Sequence, residues 1–522
     1  MPCSERGCTD ISGNSLFSIL VRAVSLSKLF RHTNVNVFIA LLVIAAGWQG
    51  SALAKAPPSG YAALPKEQRA MLDDVEKRTF DYFLESTNAK NGLMPDHWPQ
   101  VPGNDYFSSI AAVGFGLTVY GIGVERGWMK RDEAAKRTLT TLHFLHDAPQ
   151  SEAADATGYR GFFYHFLDMD TGKRFNSAPW VELSTIDTTL LLGGVLFAQS
   201  YYDRSTKEEK EIRRLADEIY RRVDWQWAAA RPPLVAMGWT PENQFIRVDW
   251  AGYNEAMLLY VLALASPTHP LGASAWGAWT ASYPKYWGTF QGQEHLGFHA
   301  TLAHQYSHVW IDFRGIQDDY MKQRGIDYFV NSQRAALAQH EYAIHNPLQW
   351  KDYSSTIWGL TASNGPRGHG KPGEPDRYAS DPKMFYGYIA RGAGIDEIVD
   401  DGTIAPTAAI GSIAFAPEIV IPAIAEMEKR YGDDLYTKYG FVDAFNPSFT
   451  FTDRPLRTGR VVPDKGWFDT LYLGIDQGPI IAMIENYRSD FVWKTMRKNP
   501  YIREGLKRAG FTGGWLDKPA EK

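Results

Sequence analysis

The stretch LSTIDTTLLLGGVLFAQSYY, Leu183 to Tyr202, is apolar on nearly every side. A helix with no wet face has to be covered all round by other protein. The segment that follows, KEEKEIRRLADEIYRRVDW (207–225), has the opposite character, charged with a single apolar stripe. GFGLTVYGIGVERG (114–127) and RDEAAKRTLTTLHFL (131–145) repeat the contrast. An inner apolar helix followed by an outer charged one is the unit of a ring of helical hairpins. The expected fold is therefore all-α, an (α/α)6 barrel or six-hairpin toroid, with a cavity at one end of the inner ring. A helical solenoid is the alternative, but the pairs share no repeated motif.

Working outward, the periodicity predicts helices at about 66–87, 108–127, 130–147, 183–203, 206–225, 253–266, 298–314, 319–346, 406–416, 417–432, 470–488 and 489–510. YRGFFYHFLDMDTGKRF (159–175) alternates and turns at Asp170-Thr171-Gly172, which predicts a β-hairpin. Its DMDTG resembles the opening of a calcium loop, but the twelve-residue pattern is not completed, so it reads as a turn. Ser354 to Asp401, rich in Gly, Pro and Tyr, reads as long loops over the cleft.

The first residues have the layout of a secretory signal: Lys28 and Arg31, then VFIALLVIAA (37–46), then small residues at Ala52 to Ala54. Cleavage after Ala54 is expected, leaving 55–65 as a short leader to a single domain at 66–518. An uncleaved anchor is the alternative, although ten apolar residues are too few to span a bilayer. The expected location is periplasmic or extracellular, with no stable membrane insertion after cleavage. Both cysteines, Cys3 and Cys8, lie in this segment, so the mature chain would have no disulfide and no thiolate chemistry. Without residues 1–54 the chain has 50 basic and 57 acidic residues, a net charge of −7. That balance shows no nucleic-acid footprint. Aromatics reach 14%, with 17 Trp and 27 Tyr, which suits a surface for flat, half-polar ligands.

In WAGYNEAMLLYVLALASPTHP (250–270) an acid, Glu255, stands at the mouth of another helix with no wet face. Trp250 and Tyr253 offer rings for a sugar face, and Asn254 can cap the helix and bond a hydroxyl. Asp187 lies inside an apolar helix, where an unpaired carboxylate costs several kcal/mol, so it is paired or faces a polar cavity. Other acids in aromatic settings are Asp249, Glu294, Asp312, Glu341, Asp401, Asp443 and Asp476. HQYSH (304–308) places His304 and His308 on one helical face. With no third ligand it suggests sugar hydrogen bonding, in which Gln305 could share, or a packed pair, and no metal site. Trp358 and Arg391 complete the candidate binding groups. There is no Walker loop, no GxGxxG after a strand and no GxSxG elbow, so no cofactor is expected.

WAGYNEAMLLYVLALASPTHP, HQYSHVWIDFRGIQDDYMKQRGIDYFVNSQRA, DDGTIAPTAAIGSIAFAPE and GIDQGPIIAMIENYRSDFVW resemble the bacterial glycoamylase-like domain. That family includes the endo-β-1,2-glucanases of glycoside hydrolase family 144. The resemblance runs from about Phe80 to Phe511 and implies an (α/α)6 barrel acting on a neutral glucan, most of all a β-1,2-glucan. It implies Glu255 as a catalytic acid, and Glu341 as a second acid in a transglycosylating branch. Asp187, Asp401 and Asp443 match further acids of the family's motifs. The expected partner is an oligo- or polysaccharide. A helix N-terminus favours ionised Glu, whereas a general acid needs a raised pKa. Burial and a neighbouring carboxylate therefore have to outweigh the dipole; otherwise Glu255 is the base or nucleophile and Glu341 the acid. The alternatives are a glucoamylase-like enzyme on another glucan, a transglycosylase, a non-catalytic glycan-binding protein and a polysaccharide lyase.

Overall fold

The apolar helices occupy the interior of the computed structural model, which describes residues 60–100, 106–177, 180–368 and 383–520. The expected leader, 1–54, lies outside the described residues. Five helices open the fold: α1 (Lys66–Ser86), α2 (Ile110–Glu125), α3 (Arg131–Asp147), α4 (Thr185–Tyr201) and α5 (Lys207–Arg221). In α2 every residue from Ile110 to Gly123 is buried, and α4 is nearly as enclosed. By contrast α3 and α5 bury one stripe and leave their charges in water. The sequence contrast between inner and outer helices is thus a contrast in burial.

Helices α2 and α4 meet backbone to backbone. A Cβ at Gly194 would lie 1.9 Å from the Gly114 carbonyl oxygen, and one at Gly114 would lie 2.2 Å from that of Leu190. Only glycine permits this approach. The helix Met257–Ala265, all of it buried, packs on α4, and Gly474–Ser489 packs on α2. Leu302–Trp310 lies against Gly474–Ser489 and is tied to α2 by Trp310 Nε1 donating to Thr118 Oγ1 at 3.0 Å.

Several expectations need correction. The span 319–346 is two helices, Asp319–Arg324 and Tyr328–His345, because Gly325 turns left-handed and Asp327 starts a new helix by accepting from the Val330 N–H. Likewise 489–510 breaks at Asn499-Pro500, where Asn499 caps Pro500–Arg508. The helix expected at 253–266 begins only at Met257. The stretch 159–175 turns at Asp170-Thr171-Gly172 as expected, with Asp168 N–H donating to the Lys173 carbonyl at 2.9 Å, and has a second, earlier turn as well. Arg160 and Gly161, both at positive φ, join Gly158–Tyr159 to Phe162–Tyr164, while the later turn is closed by a single Leu167–Arg174 bridge.

The β-structure is also larger than one hairpin. Gly158–Tyr159, Phe162–Tyr164, Leu183–Ser184, Gly238–Thr240 and Gln244–Phe245 make a five-stranded antiparallel sheet. Strands this short cannot show an alternating pattern in sequence. They hold the polar residues at the starts of the inner helices. Leu183–Ser184 runs directly into α4, and Phe107–Ser109, paired with Phe166–Asp168, runs directly into α2.

Candidate functional site

Asp187 is fixed from three sides. Ser184 Oγ donates to its Oδ2 at 2.5 Å, and its own N–H returns a bond to Ser184 Oγ at 3.1 Å, so one pair both caps α4 and aims the carboxyl. On the other side His165 Nε2 lies 3.5 Å from Asp187 Oδ1, while His165 Nδ1 lies 2.8 Å from Glu182 Oε1. Burial alone would lower the pKa of this imidazole, but Asp187 and then Glu182 outweigh it and raise it to about 9. Burial lifts the Asp187 carboxyl against the pull of His165. The result is an imidazolium held between two carboxylates.

Glu255 sits in the turn just ahead of Met257–Ala265. Asn254 Oδ1 accepts from Ala256 N–H at 3.0 Å, and the Glu255 carbonyl accepts from Ser307 Oγ at 3.1 Å. Its carboxyl is raised to about 7, mainly by burial; its own backbone amide and His299 lower it, while Asp187 raises it further. Burial thus outweighs the pull of the helix end, and Glu255 precedes the helix and lies outside its first turn.

A second group of acids comes from distant segments. Burial and the charges of Asp476 and Asp469 hold Asp443 well above the usual carboxylate range. Its Oδ2 accepts from Asn364 N–H at 2.7 Å, and Asn364 Nδ2 donates to Asp469 Oδ2 at 2.9 Å. Asp476, in the first turn of Gly474–Ser489, is raised to about 7 by burial; a hydrogen bond with Asp443 lowers it and Asp96 raises it. Asp443 and Asp476 thus act on one another's protonation. Both groups converge on Tyr306, whose phenol is raised first by burial and then by Asp476, Tyr388, Glu255 and Asp187.

A cavity of about 410 Å³ opens beside them, lined among others by Asp96, His165, Phe166, Asn364, Tyr388 and Arg457. His165 leads from it to Asp187, and Asn364 leads to Asp443 and Asp469. His165, Glu182 and Asp187 present ligand-type atoms within 4.8 Å of one another, as do His299, Asp396 and Glu397. In the first set both imidazole nitrogens already face carboxylates. In the second, Nδ1 of His299 faces Asp396 at 2.7 Å and Glu397 at 3.4 Å. Both sets have the contacts of ion pairs.

Residues 247–500 match the family model described as "Putative glucoamylase". Over those residues the chain is similar to the glycoamylase-like family. Over 472 residues it is 26% identical to the exo beta-1,2-glucooligosaccharide sophorohydrolase (non-reducing end) of Parabacteroides distasonis, covering 85% of this chain. It spans only 58% of that relative's length. Two solved structures superpose with a TM-score of 0.72. One is a "putative glucoamylase" from Bacteroides fragilis, 28% identical, covering 88% of this chain and 100% of its own. The other is the endo-beta-1,2-glucanase of Chitinophaga pinensis with sophorotriose and glucose, 26% identical, covering 86% and 99%.

In this glycoamylase-like chain the residues expected from sequence fall into two sets. Glu255 and Asp187 come together, and Asp443 joins Asp469 and Asp476. Several expected binding groups are instead committed to the interior. Trp250, 7% exposed, donates through Nε1 to Thr185 Oγ1 at 2.9 Å and braces the start of α4. Tyr253 OH lies 3.1 Å from His304 Nδ1, and His304 Nε2 lies 3.2 Å from the Phe298 carbonyl. His308 Nε2 lies 3.1 Å from Ser332 Oγ, and burial lowers both histidines to about 3. Gln305 donates to the Ala408 carbonyl and to Ser412 Oγ. Trp358 is wholly enclosed, as is the Arg391–Asp401 pair, where Nε meets Oδ1 at 2.8 Å. Burial would raise Asp401, but Arg391 outweighs it and holds it low.

Glu341 stands apart on Tyr328–His345, its side chain 41% exposed and 3.8 Å from its neighbour His340. The charges acting on Glu255 are those of Asp187 and His299. Sequence reasoning passed over His165, Glu182, His299 and Tyr388, and gave Asp476 no role. Asp96, followed by His97-Trp98, is an acid in an aromatic setting by the same criterion that found the others, and could have been picked out.

Proposed function

We propose that the protein is an exported glycoside hydrolase that cleaves β-1,2-linked glucan by carboxylate acid–base catalysis. The observation that carries this is Glu255, a carboxyl poised near pH 7 beside Asp187, with further acids around the same region. The relatives named for β-1,2-glucans supply the linkage. Export rests on the pattern of residues 1–54.

The inner helices are read as the inner ring of an (α/α)6 barrel. In support, Ser109, Asp187, Glu255, His299 and Asp476 each lie at or just ahead of the start of an inner helix, and all belong to this polar region.

In the reaction, neutral Glu255 gives its proton to the glycosidic oxygen as the bond from C1 to that oxygen breaks. A carboxylate of the second group, Asp96, Asp443 or Asp476, either takes a proton from the water that attacks C1 or attacks C1 itself; in the second case water then cleaves the resulting ester, giving its proton to the Glu255 carboxylate. Burial, and to a lesser degree the charge of Asp187, keeps Glu255 protonated, and His165 and Ser184 hold Asp187 in place.

The test is NMR of the products from linear β-1,2-, β-1,3- and α-1,4-glucans. Short oligosaccharides from β-1,2-glucan alone are expected. Glucose from starch with β-1,2-glucan untouched would reject the linkage, and binding without turnover of any glucan would reject the hydrolase.

A further inference from the structure

Among the described tryptophans one is mostly in water: Trp180 is 62% exposed. A large apolar ring left open is costly and therefore informative. It also lines the cavity beside the acids. Its position is braced from behind, with the ring of Phe166 at 6.2 Å and that of Phe175 at 6.4 Å, both inclined to it. Phe107 in turn packs on Phe166 at 4.9 Å and on Phe175 at 4.6 Å. This backing belongs in part to the paired strands Phe107–Ser109 and Phe166–Asp168, so the wall that holds Trp180 is also the wall that enters α2.

The same wall leads inward to the chemistry. Phe166 stacks on His165 with centroids 4.0 Å apart, and His165 reaches Asp187 at 3.5 Å. Trp180 thus lines the same cavity as Asp96 and as His165, the residue that reaches Asp187. Arg457, exposed and with no carboxylate partner among the described residues, adds hydrogen-bond donors to that cavity. An indole face for the C–H side of a sugar, with polar groups around its rim, is the usual make-up of a carbohydrate subsite.

We propose that Trp180 is the stacking platform of an outer glucosyl subsite, which selects chains long enough to reach past the acids. The proposal rests on the glucan reading above. Its chemistry is binding alone, so its effect belongs in KM more than in kcat. Trp180→Ala should raise KM for linear β-1,2-glucan roughly tenfold, a larger change than in kcat, and Trp180→Phe should recover most of it. Sophorotriose should gain less than the polymer from the native residue. Titrating the full chain with linear β-1,2-glucan should change its tryptophan emission, and that change should be largely lost in Trp180→Ala. An unaltered KM, or the same emission change with and without Trp180, would overturn the proposal. If β-1,2-glucan binds but is not cleaved, the hydrolase reading fails, while the emission titration still decides the subsite.

Discussion

Glu255→Gln tests the reasoning behind the proton donor most directly, because it removes the titration and keeps the shape. A carboxyl whose pKa is higher in the folded protein than in the unfolded chain adds stability while it stays protonated. That contribution is full below about 4.5 and is lost as pH rises through about 7. Above that pH the native protein carries an ionised carboxylate in a site that disfavours it. The rise from 4.5 to about 7, at ~1.36 kcal/mol per pH unit, sets a ceiling of about 3 kcal/mol on the penalty. Glu255 is not fully enclosed, so roughly half to two thirds of that should be felt. For a chain of this size 1 kcal/mol moves the melting temperature by roughly 1 °C. The expected outcome is that turnover of β-1,2-glucan falls at least about a hundredfold. The variant should also melt about 2 °C above the native protein at pH 8, with little difference at pH 5. Calorimetry at the two pH values is the assay, and groups that titrate in both proteins cancel in the difference. An offset equal at both pH values, or a native protein that melts higher at pH 8, would refute the idea that Glu255 is held protonated against its usual preference.

The native pH profile of kcat/KM should fall above about 7 as Glu255 loses its proton. Asp187→Asn should move that limb to lower pH by less than about one unit, since burial is the larger cause. Arg391→Ala leaves the buried Asp401 without a counter-charge, held by the Tyr386 and Thr403 N–H groups, so urea unfolding should show a loss of about 3–5 kcal/mol. Glu341→Gln, on a side chain 41% exposed and apart from Glu255, should keep most of the turnover in a direct rate assay. Exhaustive chelation should leave the rate unchanged; a loss restored by a divalent ion would make the His165, Glu182 and Asp187 set a metal site.

The helical character of the chain was legible because burial leaves a mark on composition. A helix covered all round, such as Thr185–Tyr201, has no polar face to hide, and one at the surface, such as Lys207–Arg221, cannot lack one. Glu255 was legible for a related reason, as an acid beside an apolar run needs an explanation. What could not be read is how the distant segments meet. Nothing in YHFLD says that His165 will lie between Glu182 and Asp187, because strands of two or three residues bring them together. The aromatic and basic residues misled in a consistent way. Trp358 and Arg391 have the chemistry of sugar contacts, but the same chemistry serves a large interior, where an indole fills space and a guanidinium neutralises a buried acid.

The close approach of Gly114 and Gly194 has a consequence for anyone who sets out to engineer this chain. Both helices enter that contact from strands that carry the cavity wall and the anchor of Asp187, so a spacer between them would shift one wall against the other. In a randomised library the two positions should tolerate almost no replacement, although neither contacts a sugar in the proposed mechanism. Clones lost there would look like failures of catalysis. The cause would be misalignment, and screening for soluble protein alone would not reveal it.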